Sequence, residues 1–266
     1  MSEALRALAA LVEPPCREHA AIARALALPA LPAADEHTDA LVFQVYPYAS
    51  VYLGAEGMLG GEARDRIAGF WRALGGEPPG EPDHVAVLLA ALATLDAPDP
   101  RMQAARRVLY AEHVASWMPP FLAALRRVGS PYYVAWAELV GELLAAEPPP
   151  VAVPVHLRAA APLARPADLD ELMRAVLAPL RAGGLIVRDD LARCAEVLAL
   201  GLRVGERRFA LRSLLAQDAA GVLGWLAGEL RAQASEYAAD TIGAWWRARA
   251  GATADLLDAL ARDAGP

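Results

Sequence analysis

The sequence predicts an all-α protein, a multi-helix bundle with a further helical portion at its C-terminal end. Apolar residues recur at helical spacing from Leu5 to Trp246, the signature of amphipathic helices packed on one another. Prolines and glycines fall between these periodic runs or at their starts, where they punctuate helices. With 56% hydrophobic and 21% charged residues, the chain can bury a sizeable core, and disorder is not expected.

Leu5, Leu8, Leu11, Val12, Ile22, Leu26 and Leu28 read as two short helices broken at Pro14-Pro15. Leu31 to Asp39 reads as a polar loop whose His37 is expected to be solvated. Leu41 to Leu53 has strand-like content in Val42, Phe43, Val45 and Tyr46, but its helical surroundings favour helix. Arg64 to Leu74 is amphipathic, with Ile67, Phe70, Trp71 and Leu74 on one face. Core packing is the plain reading of that face; one wall of an apolar peptide groove is the functional one. Gly75 to Gly80 is a loop able to move.

The stretch from Glu81 to Pro120 holds most of the polar chemistry of the first half. Pro82 disfavours helix at Glu81, so Asp83 is placed to cap the very apolar helix that follows, Val85 to Leu95. Such a helix is expected to be central. A histidine just inside a helix N-terminus is disfavoured in its charged form, so His84 is expected to be neutral and hydrogen-bonded. After the Asp96-Ala97-Pro98-Asp99-Pro100 turn, Leu109, His113 and Trp117 fall on one face of the next helix. Spacing alone leaves these residues a structural cluster. Pro119-Pro120 breaks that helix and Pro120 can open another.

Phe121, Leu122 and Leu125 continue the core, and Ser130-Pro131 opens a helix carrying Tyr132, Trp136, Val140 and Leu143. The stretch 148–166 is proline-rich and is the best boundary in the chain. The expected division is therefore 1–147, a linker at 148–166, and a helical extension at 167–266 that can share the first core. In the last part, Leu169 to Leu180 forms one stripe ended by Gly183-Gly184. Leu191, Cys194, Val197 and Leu198 mark a second helix. Phe209, Leu211, Leu214 and Leu215 mark a third, all expected to be buried. One long helix is read through Val222, Trp225, Leu230, Tyr237, Ile242 and Trp246. Arg207-Arg208 reads as a solvated helix face.

Several functions are excluded or unsupported. The net charge of -7 argues against a general nucleic-acid binder. All 25 basic residues are arginine, which suggests genome composition, not mechanism. No signal peptide and no apolar run of about twenty residues is present, so neither export nor membrane insertion is expected. Cys16 and Cys194 are expected to be free thiols. No dinucleotide, P-loop or Gly-x-Ser-x-Gly motif occurs. His84, His113 and Asp83 lack the companions a metal site needs, so no metal and no enzymatic activity are expected.

Glu81-Pro82-Asp83-His84 before an apolar helix, then His113-x-x-x-Trp117-x-Pro119, resembles the TorD/DmsD family of molybdoenzyme maturation chaperones. A third piece, Tyr46-Pro47-Tyr48-Ala49-Ser50-Val51-Tyr52-Leu53 before the glycine-rich 54–61, looks like that family's early Tyr-x-Ser-x-Tyr-Leu segment. The three pieces keep the family's order and spacing over roughly Tyr46 to Leu144. One departure is that Val87 to Leu92 lacks the acid often found there, so no role rests on it. The resemblance implies a TorD-like helical bundle acting in the cytoplasm, with the C-terminal part similar to the extension of longer TorD-type chaperones. It implies binding of the twin-arginine-type leader of a dimethyl-sulfoxide-reductase-family catalytic subunit until its cofactor is inserted. An apolar groove with acidic edges would suit such a peptide. The candidate leader-binding residues are Tyr48, Tyr52, Trp71, Pro82, Asp83, His84, His113, Trp117 and Pro119, with Asp83 meeting an arginine or ordering His84. The rival class is a structural or accessory subunit of a redox complex; a helical metal-dependent hydrolase ranks below it. No tightly bound cofactor is expected, and weak binding of a nucleotide or of the molybdenum cofactor is left open. So are the client's identity and the choice between a monomer and a domain-swapped dimer.

Overall fold

A computed structural model describes residues 1–265. The chain is 66% helical, with sixteen α-helices and no strand among the described residues, as the periodicity predicts. Helix α1 (Ser2–Leu11) and α2 (His19–Ala25) flank the Pro14-Pro15 turn, and α3 is Ala34–Thr38. A π-helical turn (Asp39–Gln44) leads to α4 (Ala49–Leu53), α5 (Gly61–Ala73) and α6 (Val85–Thr94). Next come α7 (Pro100–Val108), a second π-helical turn (Leu109–Val114), α8 (Met118–Val128) and α9 (Pro131–Ala145). The proline-rich stretch holds α10 (Val155–Ala159). The remainder comprises α11 (Leu169–Val176), α12 (Pro179–Ala182), α13 (Arg188–Val197), α14 (Arg207–Leu215), α15 (Ala219–Glu236) and α16 (Thr241–Ala264).

The first core is built on α1, α6, α8 and α9. Leu5, Leu8, Leu88, Leu89 and Leu92 are fully buried, each contributing about 1.5–3 kcal/mol of transfer free energy. Helix α6 is central, as its all-round apolarity requires. Two aromatic donors lock α9 to the open C-terminal end of α1: Trp136 Nε1 donates to the Leu8 carbonyl (3.1 Å) and the Tyr132 hydroxyl to that of Leu11 (2.9 Å). These satisfy carbonyls that a helix end leaves unpaired. Buried Arg106 on α7 joins Glu147, just past α9, and the Leu92 carbonyl.

The second core gathers Met173, Leu191, Leu211, Leu214, Val222, Leu226, Leu230 and Leu257 around the α15–α16 hairpin. The expected single long helix is broken here at Tyr237 to Asp240. Asp240 caps α16 by accepting from the Gly243 amide at 2.7 Å, a local bond that competes with helix continuation. The stripe from Leu169 to Leu180 is likewise two helices, since Pro179 disfavours helical backbone at Ala178. Gly183 ends α12 at φ 85, and a Cβ there would lie 2.2 Å from the Ala250 amide nitrogen. Only glycine fits that approach of α12 to α16.

The two cores meet. Leu157, Leu180, Leu185, Tyr237, Ile242 and Trp246 belong to the first cluster although they follow residue 147. Trp246 Nε1 donates to the Ser116 carbonyl at 2.9 Å. Arg127 on α8 pairs with Asp190 (3.1 Å) and Glu229 (3.3 Å), both buried carboxylates of the later helices. Removing one partner of such a network leaves a buried charge uncompensated, typically a loss of about 3–5 kcal/mol.

Three side chains depart from the periodicity reading. His37 is buried, 2.7 Å from the Tyr133 hydroxyl. Phe209 is 47% exposed, because α14 packs through Ala210, Leu211, Leu214 and Leu215 instead. Arg207 is half-buried and donates to the Ile186 carbonyl at 2.8 Å, while Arg208 is exposed. Cys16 and Cys194 are free. No helix of the described residues is long and apolar enough to cross a membrane.

Candidate functional site

The backbone is extended at Tyr48 and at His84, and the two residues form an antiparallel bridge. The Ala49 amide donates to the Asp83 carbonyl (2.9 Å) and the Val85 amide to that of Pro47 (2.8 Å). The starts of α4 and α6 are thereby fastened together. Asp83 does not cap its own helix. It is 1% exposed, and its carboxylate accepts from the Ser50 amide at 3.2 Å in the first turn of α4. His84 takes the capping position on α6 instead, its Nδ1 accepting from the Ala86 amide at 3.2 Å. The reason is geometric: with the Asp83 carbonyl and carboxylate both turned to α4, the next residue is left at the α6 boundary.

The His84 ring stands edge-on to Tyr48, centroids 4.8 Å apart. Glu13 Oε1 lies 3.5 Å from His84 Nδ1. An Nδ1 that accepts from an amide carries no proton, so the cap and an ion pair with Glu13 exclude each other. Burial lowers the His84 pKa, against the pull of Glu13, Glu81 and Asp83. The neutral ring with its proton on Nε2 follows, in line with the expectation from the helix dipole. Tyr48 is half-buried, and burial together with the adjacent Glu81 carboxylate pushes its hydroxyl up to about 12. Glu13 and Glu81 are exposed and rim this corner.

The other predicted residues separate into two places. Tyr52 and Trp117 are fully buried in the first core, 5.1 Å apart between centroids, with Phe121 packed on both. Trp117 Nε1 donates to the His113 carbonyl at 2.8 Å. The α-helical ladder is interrupted between His113 and Trp117, where the π-helical turn gives way to α8. Pro119 is half-buried in the first turn of α8 and Pro82 is buried. Trp71 and His113 flank Phe70, at 6.4 and 5.4 Å. Trp71 is half-buried, and its Nε1 has no hydrogen-bond partner. Burial and then the Arg66 charge bring His113 down to about 4.

Tyr48, Pro82, Asp83 and His84 thus form one corner, Trp71 and His113 a second site, and Tyr52 and Trp117 the packing between helices. A surface groove of about 820 Å³ runs between α1 and α2, lined by Ala7, Ala10, Ile22 and Leu26 among others. None of the predicted residues lines it. Sequence reasoning did not find Glu13, His37 and Tyr133 near the corner, or Arg66 and His156 near His113. Glu13 precedes a Pro-Pro turn and His156 lies in the proline-rich stretch, where no local pattern points to a partner. Among the described residues no group of three His, Cys, Asp or Glu side chains could hold a metal ion.

No curated protein matches the chain. Residues 4–123, which hold every predicted site residue, match the family model described as the nitrate reductase delta subunit, a family of molybdoenzyme maturation chaperones, and on this segment the resemblance read from the three motifs is borne out.

Proposed function

We propose that the protein is a cytoplasmic chaperone that binds the arginine-bearing leader of a molybdenum oxidoreductase catalytic subunit and holds that subunit until its cofactor is inserted. The observation that carries this reading is the corner where Tyr48 stands half-exposed between the acids Glu13 and Glu81, fastened by the Tyr48–His84 bridge. An exposed acid pair beside an aromatic face suits a guanidinium next to an apolar residue. Asp83 and His84 are buried here and act by position: the carboxylate seats α4 and the imidazole seats α6 and the Tyr48 ring. The half-buried indole of Trp71 offers a further apolar contact. The family match over residues 4–123 supports the same reading.

The test is calorimetric titration of the full chain with a leader peptide carrying an arginine pair. The variant Glu13→Gln/Glu81→Gln should bind about three- to tenfold more weakly and lose most of the salt dependence, as expected when rim charges are removed. Wild-type affinity in that variant would refute the corner. Absence of binding by the wild-type chain to leaders of every neighbouring redox subunit would favour an accessory subunit instead.

A further inference from the structure

A second polar group lies beneath α10 and takes no part in the leader reading. Arg66 and Phe70 stand one turn apart on α5, and the Phe70 ring lies 5.4 Å from that of His113. His156, on α10, is 3.6 Å from the Glu112 carboxylate, and Glu112 is the chain neighbour of His113. Arg66 lies close enough to both imidazoles for its charge to act on them, so the group sits where α5, the second π-helical turn and α10 come together. Within it the hydrogen-bonding capacity is unspent. Arg66 Nε and His156 Nε2 are buried with no partner. The Arg66 guanidinium makes no hydrogen bond or ion pair within 4 Å among the described residues, although it is half-buried. A guanidinium taken partly out of water without a carboxylate or phosphate is costly. The cost is most simply met by a bound anion.

We propose that Arg66, His113 and His156 form a binding site for a phosphate-type oxyanion. Arg66 supplies a permanent charge and a planar donor fork. His113 and His156, neutral and depressed to about 4 by burial and by Arg66, can each take up a proton when a dianion arrives. The site can thus reach three positive charges, a match for a doubly charged phosphate and an excess for a carboxylate. Glu112, half-exposed and paired to His156 Nδ1, and Glu62, one turn from Arg66 on α5, are the acids that face the group. They moderate the field without closing the guanidinium. Phe70, packed on the His113 ring, gives the anion's organic substituent an apolar flank.

Histidine-selective NMR on the full chain tests this. At constant ionic strength near pH 6.5, inorganic phosphate should shift the ring resonances of His113 and His156 saturably, in the range of about 1–10 mM, and raise both titration midpoints by about one unit or more. His37 and His84 should not follow. Phenyl phosphate should act at lower concentration than phosphate, and acetate at much higher. Arg66→Gln should abolish the response without moving the unfolding temperature by more than a few degrees. If that variant fails to fold, His156→Gln on α10 serves in its place and should remove the His113 shift. Absent or non-saturating shifts in the wild type, an undiminished response in either variant, or acetate matching phosphate would overturn the assignment.

Discussion

Asp83 separates a residue that builds the site from one that meets the ligand. Its carboxylate accepts from the Ser50 amide at 3.2 Å, and both residues are buried, Asp83 at 1% and Ser50 at 0% exposure. Asp83→Ala leaves that amide without an acceptor and without water. An unsatisfied buried donor costs about 1–3 kcal/mol. The Ala49–Asp83 backbone bond survives, which keeps the loss to the middle of that range, about 2 kcal/mol. In a chain of this size each kcal/mol corresponds to about 2–4 °C of unfolding temperature, so a fall of about 4–8 °C is expected. Asp83→Asn keeps an acceptor oxygen. It gives up the charge-assisted half of the bond and at the same time relieves a buried carboxylate that has no cationic partner. The two changes oppose, and the unfolding temperature should stay within about 2 °C. Leader affinity should follow the same order: near wild type for Asn, several-fold weaker for Ala because Tyr48 loses its seat. Circular dichroism melts and peptide calorimetry on the two variants measure both quantities. Equal destabilisation by Asn and Ala, or a large affinity loss in Asp83→Asn with folding intact, would refute this account. The charge itself would then be in use.

Four further outcomes are expected. His113 and His156 have folded pKa values near 4 against about 6.5 unfolded, so the unfolded chain binds protons first. Stability should be full above pH 6.5 and fall by about 1.4 kcal/mol per pH unit for each imidazole toward pH 4; urea unfolding in phosphate-free buffers measures the slope, which His113→Gln should flatten. Trp71, not Trp117, should report leader binding by fluorescence, because Trp117 is fully buried; Trp71→Phe should remove the change, and its persistence would place the reporter elsewhere. Trp246→Ala should cost about 3–5 kcal/mol, since the indole is buried between the two halves and bonds Ser116. A fragment ending at Glu147 bares the same surface and is expected to aggregate, and a soluble, cooperatively melting fragment would show otherwise.

Some of this architecture is legible residue by residue. The all-round apolarity of Val85 to Leu95 placed α6 at the centre, and Ile67, Phe70 and Trp71 placed the packed face of α5. Pro131 and Gly183 marked helix ends, whereas Pro179 divided a stripe that the periodicity reads as one helix. These are local matters: 3.6-residue periodicity, a fixed proline φ and a glycine at positive φ act within one or two turns of chain. The chemistry of His84 was legible for the same reason, since a helix N-terminus disfavours imidazolium wherever the helix sits.

What lay beyond such reasoning is the identity of each partner across long stretches of chain. Asp83 was read as the cap of the helix it precedes, yet it serves Ser50 on α4. His37 was read as solvated, yet it meets Tyr133 on α9. Phe209 matched the periodicity of α14 but faces solvent, because helical spacing names a face and not the surface it meets. His156 joined Glu112 and His113 only once α10 had packed over the second π-helical turn. A pattern along the chain records which side chains share a side of an element. Which element fills that side is set by close packing of whole helices, a condition on volumes and crossing angles that no short stretch of residues contains.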